Sequence, residues 1–276
     1  MESKRALLVS LRDLCGNLAF TKHSLVRLGI LWVGVLPVGG SQAAEPKYGP
    51  NASPLSAGTQ LEFFQKNAAP DFWVLIPYYI PQKTGSGCSA ATMTMILNAA
   101  RSKTELTQGD RLITFDSFVD EYSGNSAYQK VIRGKFSFSL GNVLSNPSLR
   151  GILENAAKKL GLFGEKSKIE LQEVDPANRE ASKKAFVEAL IQNEKSSDDL
   201  IFFSYIQGTV TGDPEGGAHV AAVAAFDAKK KRVLVLDPDR DWYEPYWTSV
   251  DTLFESIADP RSDSAKKPGW IRFQIR

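Results

Sequence analysis

Four side chains carry the residue types that thiol-based acyl chemistry requires. Cys88 follows a Gly/Ser loop and begins an apolar stretch, where the positive end of a helix dipole would favour a thiolate. A thiol at neutral pH needs a base, and His219 is the imidazole available outside the first 43 residues. Gln82, six positions before Cys88 in the sequence, carries an amide that could stabilise an oxyanion together with the Cys88 N–H.

The acid of this set is Asp237, and a predicted hairpin brings it near His219. Residues 218–226 and 232–236 are predicted to be strands, and the polar turn at 228–231 predicts that they pair antiparallel. His219 begins the first strand and Asp237 follows the second, so both lie at the same end of the ribbon. An aspartate beside a histidine fixes its tautomer and stabilises the imidazolium.

Each of these residues alone has an ordinary structural explanation. A lone cysteine is often a small buried hydrophobe, a histidine at a strand start is often just a satisfied polar group, and an aspartate before proline often forms a turn. Their order along the chain is more specific and favours a catalytic set. Beyond residue 43 the chain has one cysteine and one histidine, which excludes an intramolecular disulfide and a Cys/His zinc site.

Residues 1–43 are predicted to be an export signal. Two basic residues precede an apolar run over residues 28–38, and Ser41-Gln42-Ala43 has the small-x-small pattern of a cleavage site. The run is short for a membrane span, and an uncleaved anchor is the alternative. Cleavage predicts a periplasmic or secreted protein with no integral membrane domain. Residues 44–60, rich in Pro, Gly, Ser and Ala, are then a flexible lead-in.

Composition places the rest of the chain among ordinary globular proteins. Of its 276 residues, 43% are hydrophobic and 23% charged. Residues 1–43 hold five of the 33 basic and two of the 31 acidic side chains, so 28 basic and 29 acidic residues remain, a net charge of −1. A near-neutral domain gives no electrostatic argument for binding nucleic acid or anionic lipid. The lysine run 229–231 is interpreted as a solvated loop, and the oligomeric state is left open.

The elements that must position these residues divide into a helical part and a β-rich part. Helical patterns fall at residues 88–101, 115–122, 146–160 and 180–194. Strands are predicted at residues 168–174, 200–206, 218–226, 232–236 and 270–275, with a short helix at 250–258. The aromatic segment 72–80, flanked by prolines, is predicted to be extended. Helices first and antiparallel strands after them predict an α+β domain over residues 61–276.

Two blocks of the sequence resemble the papain-like cysteine peptidases and, within them, the phytochelatin synthases. The first block begins at Gln82, has a cysteine six residues later, and continues through a small-residue helix to Leu97-Asn98-Ala99. The second contains Gly217-Ala218-His219, the predicted hairpin, residues 235–240, and an aromatic stretch at 243–247. The eighteen-residue step from the histidine to the aspartate is similar to the family's own.

The resemblance implies a papain-like fold, in which the helical part carries Cys88 and the antiparallel β part carries His219 and Asp237. It implies that these three residues and Gln82 are catalytic. The implied substrate is glutathione or another γ-glutamylcysteinyl peptide. Cleavage of its Cys–Gly bond would give γ-glutamylcysteine, and transfer to a second glutathione would give a phytochelatin. No resident cofactor or metal is implied, and a soft metal would act through its thiolate complex with the substrate.

The sequence also departs from the family pattern. Ser89 stands where the family usually has glycine, and the loop before Cys88 has Thr84 and lacks an acidic residue, which leaves substrate selection open. No Cys-rich C-terminal domain is expected after the second block. In this the chain resembles the short bacterial members, which are glutathione hydrolases with weak or no chain extension. Arg240 is the candidate for holding a substrate carboxylate, with a structural ion pair as the alternative.

Two other functions stay open at this point. A papain-like peptidase of the bacteriocin-processing type has the same order of glutamine, cysteine, histidine and aspartate, although Arg240 and the stretch at 243–247 disfavour it. An inactive secreted binding module is the second alternative, and Ser89 is its best support. Assays with glutathione and with a peptide library distinguish a processing peptidase from an enzyme that cleaves glutathione. The reactivity of Cys88 toward an alkylating reagent distinguishes an inactive binding module from an enzyme.

Overall fold

The apolar segments in the last third of the chain pair as antiparallel strands. The structure is a computed structural model, and it describes residues 47–104, 106–134, 143–165 and 167–275. Its strands are β1 (Ala52–Pro54), β2 (Lys168–Glu173), β3 (Asp199–Ile206), β4 (Ala218–Asp227), β5 (Arg232–Leu236), β6 (Tyr246–Ser249) and β7 (Gly269–Gln274). They form one antiparallel sheet in the order β1-β6-β5-β4-β3-β7-β2. The predicted signal, residues 1–43, lies outside the described residues.

Helices cover both faces of this sheet. The α-helices of the described residues are α1 (Glu62–Lys66), α2 (Pro70–Leu75), α3 (Cys88–Arg101), α4 (Phe115–Ser117), α5 (Ser126–Ile132), α6 (Asn146–Lys159), α7 (Arg179–Asn193), α8 (Gln207–Thr211) and α9 (Val250–Ile257). Helices α2, α3 and α6 share one buried apolar cluster with one face, and α7 and α9 share a second cluster with the other. This mixture of helices and antiparallel sheet agrees with the predicted α+β class.

Helix α3 is buried along its length because its residues are small or apolar. Every side chain from residue 88 to residue 100 is buried, and the alanines allow the helix axis to lie close to β4. Thr92 donates a hydrogen bond from Oγ1 to the Val220 carbonyl of that strand at 3.1 Å. Each fully buried Met, Ile or Leu side chain of such a helix stabilises the fold by roughly 1.5–3 kcal/mol. The helix therefore holds Cys88, its first residue, on a rigid support.

The prediction that residues 72–80 are extended is wrong. Residues Pro70–Leu75 form α2, and Ile76–Tyr78 continue as a 3₁₀ turn. Pro70 occupies the first helical turn, where its missing N–H leaves no hydrogen bond unmade. Phe72 and Leu75, three residues apart, are both buried, which is helical spacing. The aromatic content of the segment favoured a strand, but the proline starts a helix.

The described part of the predicted flexible lead-in also differs from the prediction. Residues Ala52–Pro54 form β1 and pair with Tyr246–Ser249 at the edge of the sheet. Leu55 is buried, and its backbone N–H donates to the Pro245 carbonyl at 2.8 Å. A free strand edge offers unpaired backbone groups, and the lead-in satisfies those of β6. A proline in β1 is compatible with this edge position.

Two carboxyl groups, one buried and one partly buried, lie where α2 begins and just after α7 ends. The Asp71 side chain is 1% exposed, and neither of its oxygens has a hydrogen bond of good geometry among the described residues. Burial raises the pKa of Asp71 well above its ordinary value. Burial also raises the pKa of Glu194 to about 7, although the Phe226 N–H donates to it at 2.6 Å. The fold therefore favours the neutral form of both groups.

We expect the wild type to lose stability as rising pH removes the Glu194 proton. The Glu194→Gln protein should not show this loss. The folded protein holds the Glu194 proton up to about pH 7, whereas the ordinary value is 4.5. The favourable contribution of this group is full below about pH 4.5 and is lost as pH rises to 7. Since the group is partly exposed, the gain above pH 7 should be on the order of 1 kcal/mol.

Urea unfolding of both proteins at pH 5 and pH 8 measures this effect. Glu188→Gln, a change at an exposed position on the same helix, is the matched control. The idea is wrong if the wild type and the Glu194→Gln protein change their free energy of unfolding equally between the two pH values.

Candidate active site

A tight turn places Cys88 at the start of α3. The Gly87 N–H donates to the Thr84 carbonyl at 2.9 Å. A Cβ atom at position 87 would lie 3.0 Å from that oxygen and 3.1 Å from the Phe115 ring, which favours glycine there. The first N–H groups of a helix, including that of Cys88, have no acceptor within the helix. They are therefore available to a negative charge that develops beside the sulfur.

The structure brings the cysteine, the histidine and the aspartate to one place. Strands β4 and β5 pair as a hairpin with Ala222 opposite Leu236, so Asp237 follows directly after the paired residues. His219 Nε2 lies 2.7 Å from Asp237 Oδ1. The Cys88 side chain is near enough to raise the pKa of the imidazole, and both side chains line one cavity. The arrangement has the order of groups that nucleophilic catalysis requires: a nucleophile, a base and a group that orients the base.

Asp237 is fully buried, and its carboxylate accepts hydrogen bonds from four groups besides His219. Oδ1 accepts the Asp239 N–H at 2.9 Å. Oδ2 accepts bonds at 2.7 to 3.0 Å from the side chains of Tyr205, Gln207 and Tyr246. Burial alone would raise the pKa of Asp237, but the imidazolium and these donors outweigh it and hold the pKa below its usual value. Asp237 therefore stays ionised inside the protein.

The charge state of His219 follows from its two neighbours. Burial of the ring lowers its pKa, but the charge of Asp237, the proximity of Cys88 and the hydrogen bond to Asp237 outweigh burial and raise the pKa well above the ordinary value. The site therefore favours an imidazolium next to the sulfur. An imidazolium in this position can protonate a departing amine.

Gln82 reaches the site through its backbone. Its N–H donates to the Pro238 carbonyl at 2.8 Å, next to Asp237. Its side-chain oxygen is buried and has no hydrogen-bond partner among the described residues. No described residue therefore fixes the side-chain amide through a hydrogen bond to its oxygen. Its use as an oxyanion donor stays a prediction.

Cys88 and His219 face a shared cavity of about 240 Å³. Its wall includes Ser89 and Ser204, and it is completed by a loop that carries Arg261, Ser262 and Ser264. The sequence analysis did not select this loop, because it has no periodic pattern and lies far from the cysteine along the chain. The Arg261 guanidinium lies at the rim, with 74% of the side chain exposed, and pairs with Asp259 at 2.6 Å.

Arg240 does not line the cavity. Its guanidinium lies over the Tyr79 ring, 4.5 Å from the centroid, and donates to the Tyr79 carbonyl at 3.3 Å. The Tyr79 hydroxyl in turn donates to the backbone carbonyl of Asp237. The ion pair considered as an alternative for Arg240 is not found among the described residues, and the side chain remains exposed. Its role in binding a carboxylate stays a prediction.

A comparison with protein families matches most of the chain. The family model described as phytochelatin synthase matches residues 52–270, which is more than half of the chain. The matched range includes Gln82, Cys88, His219 and Asp237. No curated protein matches the chain.

Proposed function

The chain belongs to the phytochelatin synthase family, and we propose that it cleaves the Cys–Gly bond of glutathione through a thioester on Cys88. Membership of the family implies an enzyme that acts on glutathione. The observation that supports the specific reaction is that Cys88 and His219 face one cavity while His219 contacts Asp237 at 2.7 Å.

The proposal includes the papain-like arrangement that the sequence resemblance implies. Helix α3 carries the nucleophile at its N-terminus and packs against the face of the sheet that includes Val220. Strands β4 and β5 supply the histidine and the aspartate. This division between a helix and an antiparallel sheet supports the assignment.

In the acylation step the Cys88 thiolate attacks the carbonyl carbon of the Cys–Gly peptide bond. The tetrahedral oxyanion would accept hydrogen bonds from the Cys88 N–H and from the Gln82 amide. The His219 imidazolium donates its proton to the glycine nitrogen as the C–N bond breaks, and Asp237 holds the ring in orientation. Glycine leaves as the amine, and γ-glutamylcysteine remains bound to the sulfur as a thioester.

The second step returns the enzyme to its starting state. His219, now neutral, takes a proton from the incoming nucleophile, which attacks the thioester carbonyl and releases Cys88 as a thiolate. Water as the nucleophile gives γ-glutamylcysteine. The amine of a second glutathione gives the first phytochelatin. The partition depends on how much water reaches the thioester while the acceptor is bound.

Substrate carboxylates are proposed to meet the two arginines near the site. Arg261 lines the cavity that Cys88 and His219 face, and a guanidinium binds a carboxylate through two parallel hydrogen bonds. Arg240 is the candidate on the other side of Asp237, above Tyr79. A soft metal is proposed to enter as part of the substrate, bound to the glutathione thiolate.

The site of action is proposed from the sequence. We retain the predicted export signal at residues 1–43 and infer that the mature enzyme works outside the cytoplasm. Within the part of the chain that the structure describes, none of the helices has the length and apolar character needed to cross a membrane. N-terminal sequencing of the protein recovered from the periplasm or the medium tests the cleavage site.

Analysis of the products from glutathione tests the proposed reaction. The purified protein, incubated with glutathione with and without Cd²⁺, should release free glycine and form γ-glutamylcysteine, as mass spectrometry detects. A product with two γ-glutamylcysteinyl repeats would show transfer in addition to hydrolysis. Absence of glycine release together with cleavage of members of a peptide library would overturn the proposal in favour of a processing peptidase.

A further inference from the structure

Residues around the start of α3 make polar contacts with one neighbouring segment. This segment, residues 114–133, comprises α4, a π-helical turn (Phe118–Tyr122) and α5. We call it the brace. The proposed reaction does not use the brace, and no brace residue is among those lining the cavity at Cys88.

The most buried of these contacts joins Ser89 to Tyr128. The two hydroxyl oxygens are 2.9 Å apart, and both side chains are buried, with 1% and 0% exposure. The backbone N–H of Tyr128 is bound by the Asn125 side chain at 3.0 Å, so the tyrosine is fixed at both ends. Burial raises the pKa of Tyr128, the hydrogen bond with Ser89 lowers it, and Cys88 adds to the rise.

The loop before Cys88 contacts the brace at two further points. Thr84 Oγ1 donates to the Ile132 carbonyl, the last residue of α5, at 2.8 Å. The Lys83 ammonium pairs with Asp116, which also accepts a bond from Arg133 at 2.6 Å. The lysine pair is exposed and is expected to contribute little by itself. The threonine and serine contacts are more sheltered from water and fix the loop more firmly.

The opposite side of the same loop is attached to the residues around Asp237. The Gln82 N–H binds the Pro238 carbonyl, and the Tyr79 hydroxyl binds the Asp237 carbonyl. The loop from residue 82 to residue 87 is thus held from two directions. One set of contacts sets its position relative to the histidine–aspartate pair, and the brace sets the position of the first turn of α3.

We propose that the brace positions Cys88 and its backbone N–H for acylation, with Tyr128, Ser89 and Thr84 as positioning residues. The proposal rests on the proposed function and deepens it. It also explains two departures from the family pattern, since Ser89 and Thr84 are the residues that reach the brace. A glycine at position 89 would leave the buried Tyr128 hydroxyl without its described partner, so Ser89 and Tyr128 form a matched pair.

A double-mutant cycle on Ser89 and Tyr128 tests the proposal. Ser89→Ala and Tyr128→Phe should each slow single-turnover glycine release about tenfold, with KM changed less than twofold. The double variant should also be about tenfold slower, because both changes remove the same contact. Thr84→Val, which removes the separate contact with Ile132, should slow the step about threefold. Tyr122→Phe in the π-helical turn is the matched control, because the structure describes no hydrogen bond of its hydroxyl.

Alkylation of Cys88 by iodoacetamide gives a readout that does not need glutathione as the substrate. The rate should fall severalfold in the Ser89, Tyr128 and Thr84 variants and stay unchanged in the Tyr122 control. Thermal unfolding, followed in parallel, identifies a variant that loses rate only because it unfolds. If the wild type releases no glycine, the proposed function fails, and alkylation alone then decides the role of the brace.

Three results would overturn the role of the brace. One is a hundredfold loss in the double variant, which would mean that the two hydroxyls act independently. Another is unchanged or faster alkylation in folded Ser89→Ala, Tyr128→Phe and Thr84→Val proteins. The third is a Tyr122→Phe protein as slow as Tyr128→Phe, which would show a nonspecific effect of the segment.

Discussion

The Cys88→Ser protein is expected to fold as the wild type does and to release glycine from glutathione at least about 10⁴-fold more slowly. The change replaces one atom in a side chain that lies at the first position of α3, so the packing of the helix is preserved. A serine hydroxyl is a much weaker nucleophile than a thiolate at neutral pH. The site also favours the protonated form of His219, which cannot accept the proton of the hydroxyl.

Release of glycine, followed by mass spectrometry, measures this loss, and glutathione binding by calorimetry provides the control. Binding should change little, because the cavity wall keeps its shape. Cys88→Ala, which removes the nucleophile altogether, should match the serine variant. Glycine release within tenfold of the wild type in either protein would exclude a thioester on this residue.

The second large effect is expected for Asp237→Asn, which should lower kcat for glycine release by about 10² to 10⁴. The aspartate accepts five hydrogen bonds, and an amide in its place must turn an NH₂ group toward some of these donors. In one orientation its NH₂ group faces the Asp239 N–H, which cannot accept, and in the other it faces the Gln207 amide, which must turn its oxygen inward to accept. The free energy of unfolding should therefore fall by about 1–3 kcal/mol as well.

The pH dependence of the Asp237→Asn protein has a defined sign. Asp237 raises the pKa of His219, so the wild type keeps the imidazolium to a higher pH than an isolated histidine would. Without the carboxylate charge the alkaline limb of kcat/KM should move toward lower pH by about one unit or more. Asp241→Asn, at an exposed position four residues further on, is the control and should leave the profile unchanged. An alkaline limb that does not move in the Asp237 variant would contradict this account.

The relative positions of His219 and Asp237 follow from local sequence. A hairpin needs two apolar segments and a polar turn, and both residues then lie at one end of the ribbon. The structure shows this geometry, with a 2.7 Å contact between the two side chains. The sequence predicts less firmly that Cys88 lies beside this pair, because that prediction depends on the scarcity of cysteine and histidine in the chain. The catalytic roles of these residues remain predictions.

The surroundings of the site were not predictable in the same way. The donors around Asp237 come from β3, α8 and β6, and each is an ordinary polar residue in its own segment. Helix α5 was not predicted, although Asn125 caps it, because its apolar face is short. Contacts such as Ser89 with Tyr128 depend on how distant segments pack, and a single sequence contains no periodic signal for them.

The errors in the secondary structure have a common physical origin. Residues 72–80 were assigned from their aromatic and β-branched content, whereas Pro70 at the helix start and burial on one side determine α2. Residues 44–60 were assigned from their small and polar composition, but three of them complete a sheet edge. In both places the overall composition of the segment indicates the wrong state, because particular residues at a helix start or a sheet edge determine the structure.

The β4–β5 hairpin is long, so its turn lies far from His219 and offers a place to attach other groups. Strand β4 has ten residues, so the turn at residues 228–231 lies roughly 30 Å from the end that carries His219. The turn is exposed and already adopts a left-handed backbone at Lys231. A fluorophore, an affinity tag or a surface linker inserted there would leave the cavity at Cys88 unobstructed, so the protein could be immobilised through this turn.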